Sequence, residues 1–282
     1  MSARVLDGRA IAAEVLSVVS ERVSVLRGRG IAPQLCFVTI GHSAPAQMYA
    51  KRLEKQAARA GIVVTRRELA EDVSLLELDR IVAALNDWPE VDGILVQMPL
   101  PEHLTAADLA VIVHPRKDVD GITTENAGRL YLGLPGPVPS TALAMMQIVR
   151  HADIPLDGRH AVIVGRSNVV GHPVAELLVE CDATVTITHR RTRDLAAMTR
   201  QADLLIVGAG SPHLITAEMI QPGVAIIDAG INATPEGTVG DVDFAGCAPI
   251  ASAITPVPGG VGPVTNIVLL RNVVDSAERR LA

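Results

Sequence analysis

Aromatic residues are scarce in this sequence. One Trp, two Tyr and two Phe occur among 282 residues, although 49% of the residues are hydrophobic. The cores must therefore be built from Val, Ile, Leu and Ala, which suits strands buried on both faces of a parallel sheet. With 20% charged residues the composition is that of a folded globular protein, which excludes a disordered or fibrous chain and favours an α/β fold.

Cysteines, excess basic charge and long apolar runs are also lacking. Cys36, Cys181 and Cys247 lie far apart beside apolar sequence, so we expect buried small side chains in a reducing compartment rather than a disulfide or metal ligands. A net charge of −6 gives no attraction for nucleic acid or for an anionic membrane. Because neither a signal-peptide core nor the ~20 apolar residues of a membrane span occurs, we expect a cytoplasmic protein.

The chain alternates between strand-like and helix-like segments. Before residue 133, helices are predicted from Asp7 to about Gly28, at about 45–60 and at 74–86, and strands at QLCFVTI, IVVTRRE and GILVQ. The segment GLPGPVPS is too rich in Gly and Pro for either and marks a domain boundary. A second alternation follows, with strands HAVIVG, ATVTIT, DLLIVG and VAIIDAG. Both halves are expected to hold parallel strands joined by right-handed crossovers, and the last helix could pack on either half.

The motif VGRSNVVGHP follows the first strand of the second half. Gly165 and Gly171 would allow a tight turn and the approach of a pyrophosphate to a helix N-terminus. Ser167 replaces the usual middle glycine and the last glycine comes one residue late. The motif alone therefore also fits an ordinary strand–turn–helix connection.

The end of the following strand indicates which cofactor to expect. An NAD site usually has a carboxylate there for the ribose 2′-hydroxyl, whereas this strand ends in His189, Arg190 and Arg191, with no carboxylate before Asp194. Guanidinium groups bind phosphate, and Arg166 adds another cation nearby. The cluster therefore favours NADP over a solvated surface patch.

Five segments occur in one order across nearly the whole chain: DGILVQMPLP, KDVDG, GRSNVVGHP, GDVDF and TPVPGGVGP. Together they resemble the bifunctional methylenetetrahydrofolate dehydrogenase/cyclohydrolase family. The resemblance implies a folate domain at 1–139, with the last helix, 263–282, packed back on it, and a Rossmann-like NADP domain at 140–262 with the active cleft between the two. It also implies a homodimer formed through the nucleotide domains.

The resemblance assigns site residues as well. Tyr49, Gln97 and Asp120 correspond to the family's pterin-side tyrosine and polar pocket residues, and a carboxylate suits the pterin amine because it only accepts hydrogen bonds. From the residues alone, Asp120 would be a turn residue and Gln97 a strand-end amide. Folate and nicotinamide would be bordered by Pro258, Gly259, Gly260 and Val261. The implied cofactor-binding residues are Gly165, Arg166, Ser167, Gly171, His189, Arg190, Arg191, Gly208 and Ile231.

Two positions depart from the family near Tyr49. The family has a lysine four residues after the tyrosine and, as a rule, a serine three residues before it, where this chain has Leu53 and Ala46. Lys51 and Lys55 point elsewhere on a helix of 3.6 residues per turn. Arg52 is closer to the tyrosine face, but a guanidinium is a poor proton shuttle.

The expected activity is NADP-dependent oxidation of 5,10-methylenetetrahydrofolate, with the cyclohydrolase weak or absent. Ser140 and Ala142, where the family usually has Cys and Pro, indicate a reshaped cleft. The alternatives are a paralogue with a different substrate and a catalytically silent protein that binds folate or NADP.

Overall fold

The computed structural model describes residues 3–235 and 237–281, with the backbone alone at residues 44 and 45. The chain divides into two compact units. Met1–Ala13 and Thr141–Thr265 form one, which we call the six-stranded unit, and Glu14–Ser140 and Asn266–Ala282 form the other, the three-stranded unit. The expected two-domain α/β fold is confirmed.

The secondary structure follows the predicted alternation, with additional short elements. The strands are β1 (Arg4–Val5), β2 (Gln34–Ile40), β3 (Val63–Leu69), β4 (Gly93–Val96), β5 (His160–Val164), β6 (Thr184–Thr188), β7 (Leu204–Val207), β8 (Ala225–Asp228), β9 (Asn232–Thr234), β10 (Gly237–Val239) and β11 (Ala253–Ile254). The helices are α1 (Gly8–Gly28), α2 (Ala44–Ala60), α3 (Leu75–Asp87), α4 (Ala106–Ile112), α5 (Thr124–Tyr131), α6 (Ser140–His151), α7 (Gly171–Val179), α8 (Leu195–Thr199), α9 (Phe244–Cys247) and α10 (Val261–Glu278). Single 3₁₀ turns occur at Ala217–Met219 and Arg279–Leu281.

The three-stranded unit is built on a parallel sheet in the order β3-β2-β4. Its central strand β2 is buried along most of its length, as expected for a strand covered on both faces. The buried side of α3, formed by Leu78, Val82 and Leu85, packs in a core with residues of β2 and β4. Ser74 caps this helix by accepting a hydrogen bond from the Glu77 amide.

The six-stranded unit contains one parallel sheet in the order β1-β11-β8-β7-β5-β6. Strands β7 and β8 are fully buried and apolar except for Asp228. The chain adds β6 on one side of β5 and β7 on the other. Ligands bind in the crevice at the carboxyl ends of the strands where the winding direction reverses in this way.

The first residues of the chain belong to a different unit from the one that the sequence predicts. Residues 1–13 were assigned with the first half, but β1 pairs with β11 in the six-stranded sheet, Arg4 opposite Ala253 and Val5 opposite Ile254. Two-residue strands show no periodicity, and the partner strand lies at the far end of the sequence. Only the tertiary fold brings the two together.

The last helix contributes to the three-stranded unit from Asn266 onward. The Asn272 side chain donates to the Val119 carbonyl at 2.8 Å. Arg22 of α1 forms ion pairs with Asp275 and Glu278 of α10. These contacts join the end of the chain to the KDVDG segment and to α1.

The cysteines only partly match the expectation. Cys36 and Cys247 are fully buried, whereas Cys181 is half-buried. The prediction of a buried side chain is therefore wrong for Cys181. Burial raises the pKa of both buried thiols to about 11. Across the residues that the structure describes, no helix combines the length and apolar character required to cross a bilayer.

Candidate active site and nucleotide-binding edge

Local capping fixes the ends of α2, the helix that carries Tyr49. The Ser43 hydroxyl accepts a hydrogen bond from the Ala46 amide at 3.3 Å at the start of the helix. Gly61 ends the helix with φ of +80°, a left-handed conformation that glycine adopts without strain. The register of the side chains along this helix is therefore set within the three-stranded unit.

Leu53 lies on the buried face of α2. Ala50, Leu53 and Ala57 have no exposed surface, and their spacing of three and four residues forms one continuous helix face. Tyr49 is half-buried, with its ring centroid 6.1 Å from that of Phe37. Three cations of the helix, Lys51, Arg52 and Lys55, are exposed.

In the KDVDG segment, the first two charged side chains, those of Lys117 and Asp118, stabilise the surrounding backbone. Lys117 donates to the carbonyls of Leu85 and Trp88 at 2.9 and 2.6 Å. The buried Asp118 carboxylate accepts from the Ile122 and Thr123 amides and from Asn126 Nδ2 at 2.8–3.0 Å. Gly121 is required because a Cβ there would lie 2.6 Å from the Val138 carbonyl carbon.

Asp120 is less completely paired than Asp118. Its Oδ1 accepts a long hydrogen bond of 3.4 Å from the Ser140 amide. Burial raises the pKa of this carboxyl to about 6, the nearby Asp118 charge raises it further, and the hydrogen bond from the Ser140 amide lowers it. The carboxylate is therefore ionised at neutral pH but gains a proton far more readily than an exposed Asp.

Tyr49 lies within electrostatic reach of Asp120. Burial raises the pKa of the phenol above its usual range, the Asp120 charge raises it further, and the Arg52 charge lowers it. The hydroxyl consequently stays protonated at neutral pH. The structure thus brings together one hydrogen-bond donor and one acceptor of those predicted for the folate site.

Two polar atoms beside these groups are buried without a hydrogen-bond partner among the described residues: Gln97 Oε1 and Ser140 Oγ. The Gln97 Nε2 group donates to the Ala46 carbonyl at 3.1 Å, which fixes the amide against α2. Buried polar atoms are nearly always paired in folded proteins, so such atoms commonly mark a ligand or an ordered water.

The predicted nucleotide-binding residues follow strands whose ends are in register. Val164 of β5 pairs with Thr188 of β6 and with Val207 of β7. The residues directly after them, Gly165, His189 and Gly208, therefore meet at one edge of the parallel sheet. Three separate sequence predictions converge on this edge.

Close backbone contacts explain the glycines of VGRSNVVGHP. Gly165 has φ of +127°, and a Cβ there would lie 2.3 Å from the Gly208 carbonyl oxygen. A Cβ at Gly171 would lie 2.2 Å from the Gly165 carbonyl oxygen. Ser167 in place of a glycine is also accounted for, because its hydroxyl accepts from the Val170 amide at 3.1 Å. No side chain caps α7 at Val170, but the His172 amide donates to the Ser167 carbonyl at 3.1 Å and Pro173 has no N–H. Of the first three residues of the described helix, Gly171 therefore supplies the amide that can bind an anion.

One arginine lies in this turn after β5, and two more follow the neighbouring strand β6. Arg166, Arg190 and Arg191 are exposed, and none of these guanidinium groups pairs with another described residue. The His189 ring accepts from the Arg191 amide at 3.2 Å, which fixes the backbone of the cluster. The residues present therefore fit a dinucleotide with an additional phosphate.

The remaining predicted residues also lie in the six-stranded unit. Ile231 is 71% exposed in the loop after β8. Gly259, with φ of +115°, accepts a hydrogen bond from the Gly8 amide at 2.9 Å. A Cβ at Gly260 would lie 2.6 Å from the Pro256 carbonyl oxygen. Pro258 completes this tight loop, and the buried Val261 begins α10.

Comparison with known proteins identifies the family. Residues 6–120 match the model of the tetrahydrofolate dehydrogenase/cyclohydrolase catalytic domain, and residues 139–281 match the NAD(P)-binding domain of the same family. The chain belongs to this family. The family resemblance and the nicotinamide nucleotide domain expected from the sequence are confirmed.

Relatives match over the full length of the chain. The bifunctional protein FolD of Ligilactobacillus salivarius is 43% identical, covering 100% of this chain and 99% of that protein. The crystal structure of the bifunctional FolD from Campylobacter jejuni has a TM-score of 0.97 and 40% identity, covering 99% and 100% of the two chains. The Trypanosoma brucei FolD, complexed with NADP cofactor and inhibitor, has a TM-score of 0.95 and 36% identity, covering 100% and 99%.

Two buried carboxylates of the family fold were missed from the sequence. Asp228 ends β8, and Asp241 lies in the GDVDF segment, which supports the family resemblance but predicts no role for either of its two acidic residues. Both are almost completely buried. A buried charge requires partners, and a carboxylate beside apolar strands was the available signal.

Proposed function

We propose that the protein is an NADP-dependent 5,10-methylenetetrahydrofolate dehydrogenase whose methenyltetrahydrofolate cyclohydrolase activity is weak or absent. One observation carries the proposal. Leu53, at the position of the family lysine, is fully buried on the core-facing stripe of α2.

Hydride transfer needs mainly that two rings be held at near-attack distance. When bound, NADP supplies the hydride acceptor. Tyr49, Gln97 and Asp120 are proposed to orient the pterin: the Asp120 carboxylate accepts from the pterin amine, and the protonated Tyr49 donates. Gly165, Gly171 and Gly208 would admit the pyrophosphate, and Arg190 with Arg191 would bind the 2′-phosphate. No proton transfer from the protein is obligatory in this step.

Hydrolysis of the methenyl product makes a different demand, because water must be activated and protons moved. A leucine cannot exchange a proton, and the guanidinium of the exposed Arg52 is a poor proton shuttle. The loss of a general acid or base typically lowers a rate by roughly 10²- to 10⁴-fold. The relatives are named bifunctional. This protein is therefore proposed to differ from them in its cyclohydrolase activity, because of residue 53 and its surroundings.

The test follows both reactions in one cuvette. Methylenetetrahydrofolate and NADP are mixed with the native protein, and NADPH and methenyl absorbance are recorded separately. We expect NADPH to form and the methenyl signal to accumulate. Native protein that hydrolyses methenyltetrahydrofolate far above the spontaneous rate would refute the cyclohydrolase part.

Substitutions at residue 53 sharpen the result. Leu53→Lys introduces an ammonium group beside Tyr49 and is expected to recover part of the hydrolysis, whereas the uncharged Leu53→Met should leave the ratio of the two activities unchanged. Burial depresses the pKa of a lysine, so hydrolysis should be recovered with a pH dependence absent from native protein. Thermal unfolding of each variant must accompany the assay, because a buried ammonium destabilises the fold by several kcal/mol.

A catalytically silent binder, or a paralogue with another substrate, is the second candidate. Ala46 and Leu53 stand where the family site has two polar groups, and the absence of both groups favours this second candidate. Single-turnover mixing separates the candidates: folate binding without any NADPH indicates a silent binder, and failure to bind folate indicates a changed substrate. The homodimer and the cytoplasmic location remain part of the main proposal, and light scattering at several concentrations tests the former.

A further inference from the structure

Asp241 is a buried carboxylate that receives only N–H donors. It has no exposed surface, and no cation is paired with it within residues 3–235 and 237–281. Its Oδ2 accepts from the Ala209 and Gly210 amides at 2.6 and 2.8 Å. Its Oδ1 accepts from the Ser211 amide at 2.9 Å and from Asn232 Nδ2 at 2.8 Å. Four donors thus compensate the charge.

Three of these donors belong to the loop after β7, and the fourth belongs to the first residue of β9, which directly follows the loop after β8. Residues 209–211 directly follow Gly208 at the end of β7, and Asn232 directly follows Ile231 in the loop after β8. Strands β7 and β8 are neighbours in the sheet, with Val207 opposite Asp228. One side chain from a third segment therefore holds both loops beside two of the predicted cofactor-binding residues.

A second carboxylate fixes Asp241 itself. Asp228 Oδ1 accepts from the Asp241 amide at 3.2 Å and from the Gly230 amide at 2.8 Å, and its Oδ2 accepts from the Val242 amide at 3.0 Å. The packing leaves no free space, because a Cβ at Gly230 would lie 2.3 Å from Asp241 Cγ. The backbone that carries Asp241 and the loop it holds are thus locked together.

We propose that Asp241 is a positioning residue for the nicotinamide cofactor, acting through the shape of loop 209–211 and of residues 230–232, where the loop after β8 meets β9. The proposal deepens the dehydrogenase function proposed above and rests on its cofactor. An amide at this position keeps one acceptor oxygen and presents an NH₂ group in place of the other. Two of the four N–H donors then face another donor, and the loops cannot keep their present shape.

The test uses the full-length Asp241→Asn variant. The dissociation constant for NADP, measured by calorimetry, is expected to rise at least about tenfold because buried donors lose their acceptor. At saturating NADP, kcat and the KM for methylenetetrahydrofolate should change less than about threefold. Hydrogen exchange should accelerate in peptides containing residues 209–211 and 230–232, while peptides from 14–140 stay at native rates.

Asp243→Asn is the matched control. Asp243 lies two residues away and is half-buried, and its carboxylate caps α9 by accepting from the Gly246 amide at 3.2 Å. NADP affinity should stay native in this variant. General damage to the unit would weaken NADP in both variants and would contradict the proposal.

A folded Asp241→Asn protein with native NADP affinity overturns the proposal. If that variant does not fold, Asn232→Ala removes one of the four donors and should weaken NADP by about threefold; native affinity in Asn232→Ala then overturns it instead. Failure of the proposed function is distinguishable, because native protein that binds NADP but forms no NADPH refutes the dehydrogenase and leaves the binding comparison intact.

Discussion

The two candidate sites treat their buried polar groups differently. In the six-stranded unit, Asp228 and Asp241 have every carboxylate oxygen paired with an N–H donor of the fold. In the three-stranded unit, Gln97 Oε1 and Ser140 Oγ are buried without such a partner among the described residues, and Asp120 receives one long hydrogen bond.

This difference distinguishes the loop scaffold of the proposed nucleotide edge from the proposed folate pocket. Paired carboxylates define loop shape before any ligand arrives, which lowers the ordering cost of binding. Unpaired polar atoms have a free-energy cost in the empty protein that a ligand can remove. We therefore expect the nucleotide edge to depend on backbone geometry and the folate pocket on individual side-chain atoms.

The largest effect is expected at the backbone of the nucleotide edge. Gly165→Ala places a Cβ 2.3 Å from the Gly208 carbonyl oxygen at φ of +127°, so NADP affinity should fall at least about 100-fold or the unit should unfold. Gly158→Ala is the control, since its φ of +67° is also positive but no atom lies within 4 Å of the new Cβ. It should lower stability by about 1 kcal/mol without affecting NADP. Calorimetry measures the NADP affinity of both variants, and thermal unfolding measures their stability. Equal losses of NADP affinity in the two variants would contradict a specific role for the contact at Gly165.

A smaller effect is expected for the exposed cations. The double variant Arg190→Gln/Arg191→Gln should weaken NADP by about 10- to 100-fold and NAD much less, because a guanidinium–phosphate hydrogen bond contributes roughly 1.5–3 kcal/mol. Arg159→Gln is the control: this exposed arginine precedes β5 at the opposite end of the strand. Competition binding with both nucleotides provides the measurement. Native protein that binds NAD as tightly as NADP would contradict the phosphate site.

The proposed folate pocket should respond to pH through Asp120. Its pKa of about 6 is raised, so the acceptor form is lost as the pH falls through 6, and roughly a tenth remains ionised at pH 5. With NADP saturating, kcat/KM for methylenetetrahydrofolate should be about tenfold lower at pH 5 than at pH 7.5. Asp120→Asn should be less active and flat over this range. A flat profile in native protein would exclude Asp120 as the pterin acceptor.

Asp228 has a similarly raised pKa of about 6, owing first to burial, but it lies in the six-stranded unit. We expect the protonation of Asp228 to change the NADP affinity and not the kinetics with the folate substrate. As the pH falls through 6, the activity should fall, whereas the free energy of unfolding should rise. Both carboxyls are penalised by burial when ionised, so this penalty is full above pH 6 and is relieved as the pH falls toward 4.

The smallest effect is expected at Ser140. Because its buried Oγ lacks a partner, Ser140→Ala should leave the unfolding temperature of the free protein unchanged or raise it by about 1–3 °C, while folate affinity falls about threefold. Ser276→Ala is the control, since Ser276 Oγ donates to the Arg116 carbonyl at 2.7 Å. That variant should unfold at a lower temperature. A clear loss of stability in Ser140→Ala would show that the hydroxyl is paired within the fold.

Local patterns predicted much of the fold. Strand β2 runs from Gln34 to Ile40 as its apolar run indicated, and α2 is flanked by Ser43 and Gly61, which are ordinary capping residues. The predicted cofactor edge also follows from strand ends. By contrast, β1, β11 and the β9–β10 hairpin are too short for periodicity to reveal them.

By itself, the sequence determined the α/β alternation, the family and the position of Leu53 four residues after Tyr49, because each is encoded in contiguous residues or in spacing along one helix. Only the tertiary structure decided that the chain begins in the six-stranded sheet and that Asp241 holds two loops. It also decided that burial and Asp118 raise the pKa of Asp120. These properties depend on which distant segments meet and on the exclusion of water around them, and neither is written in any local pattern.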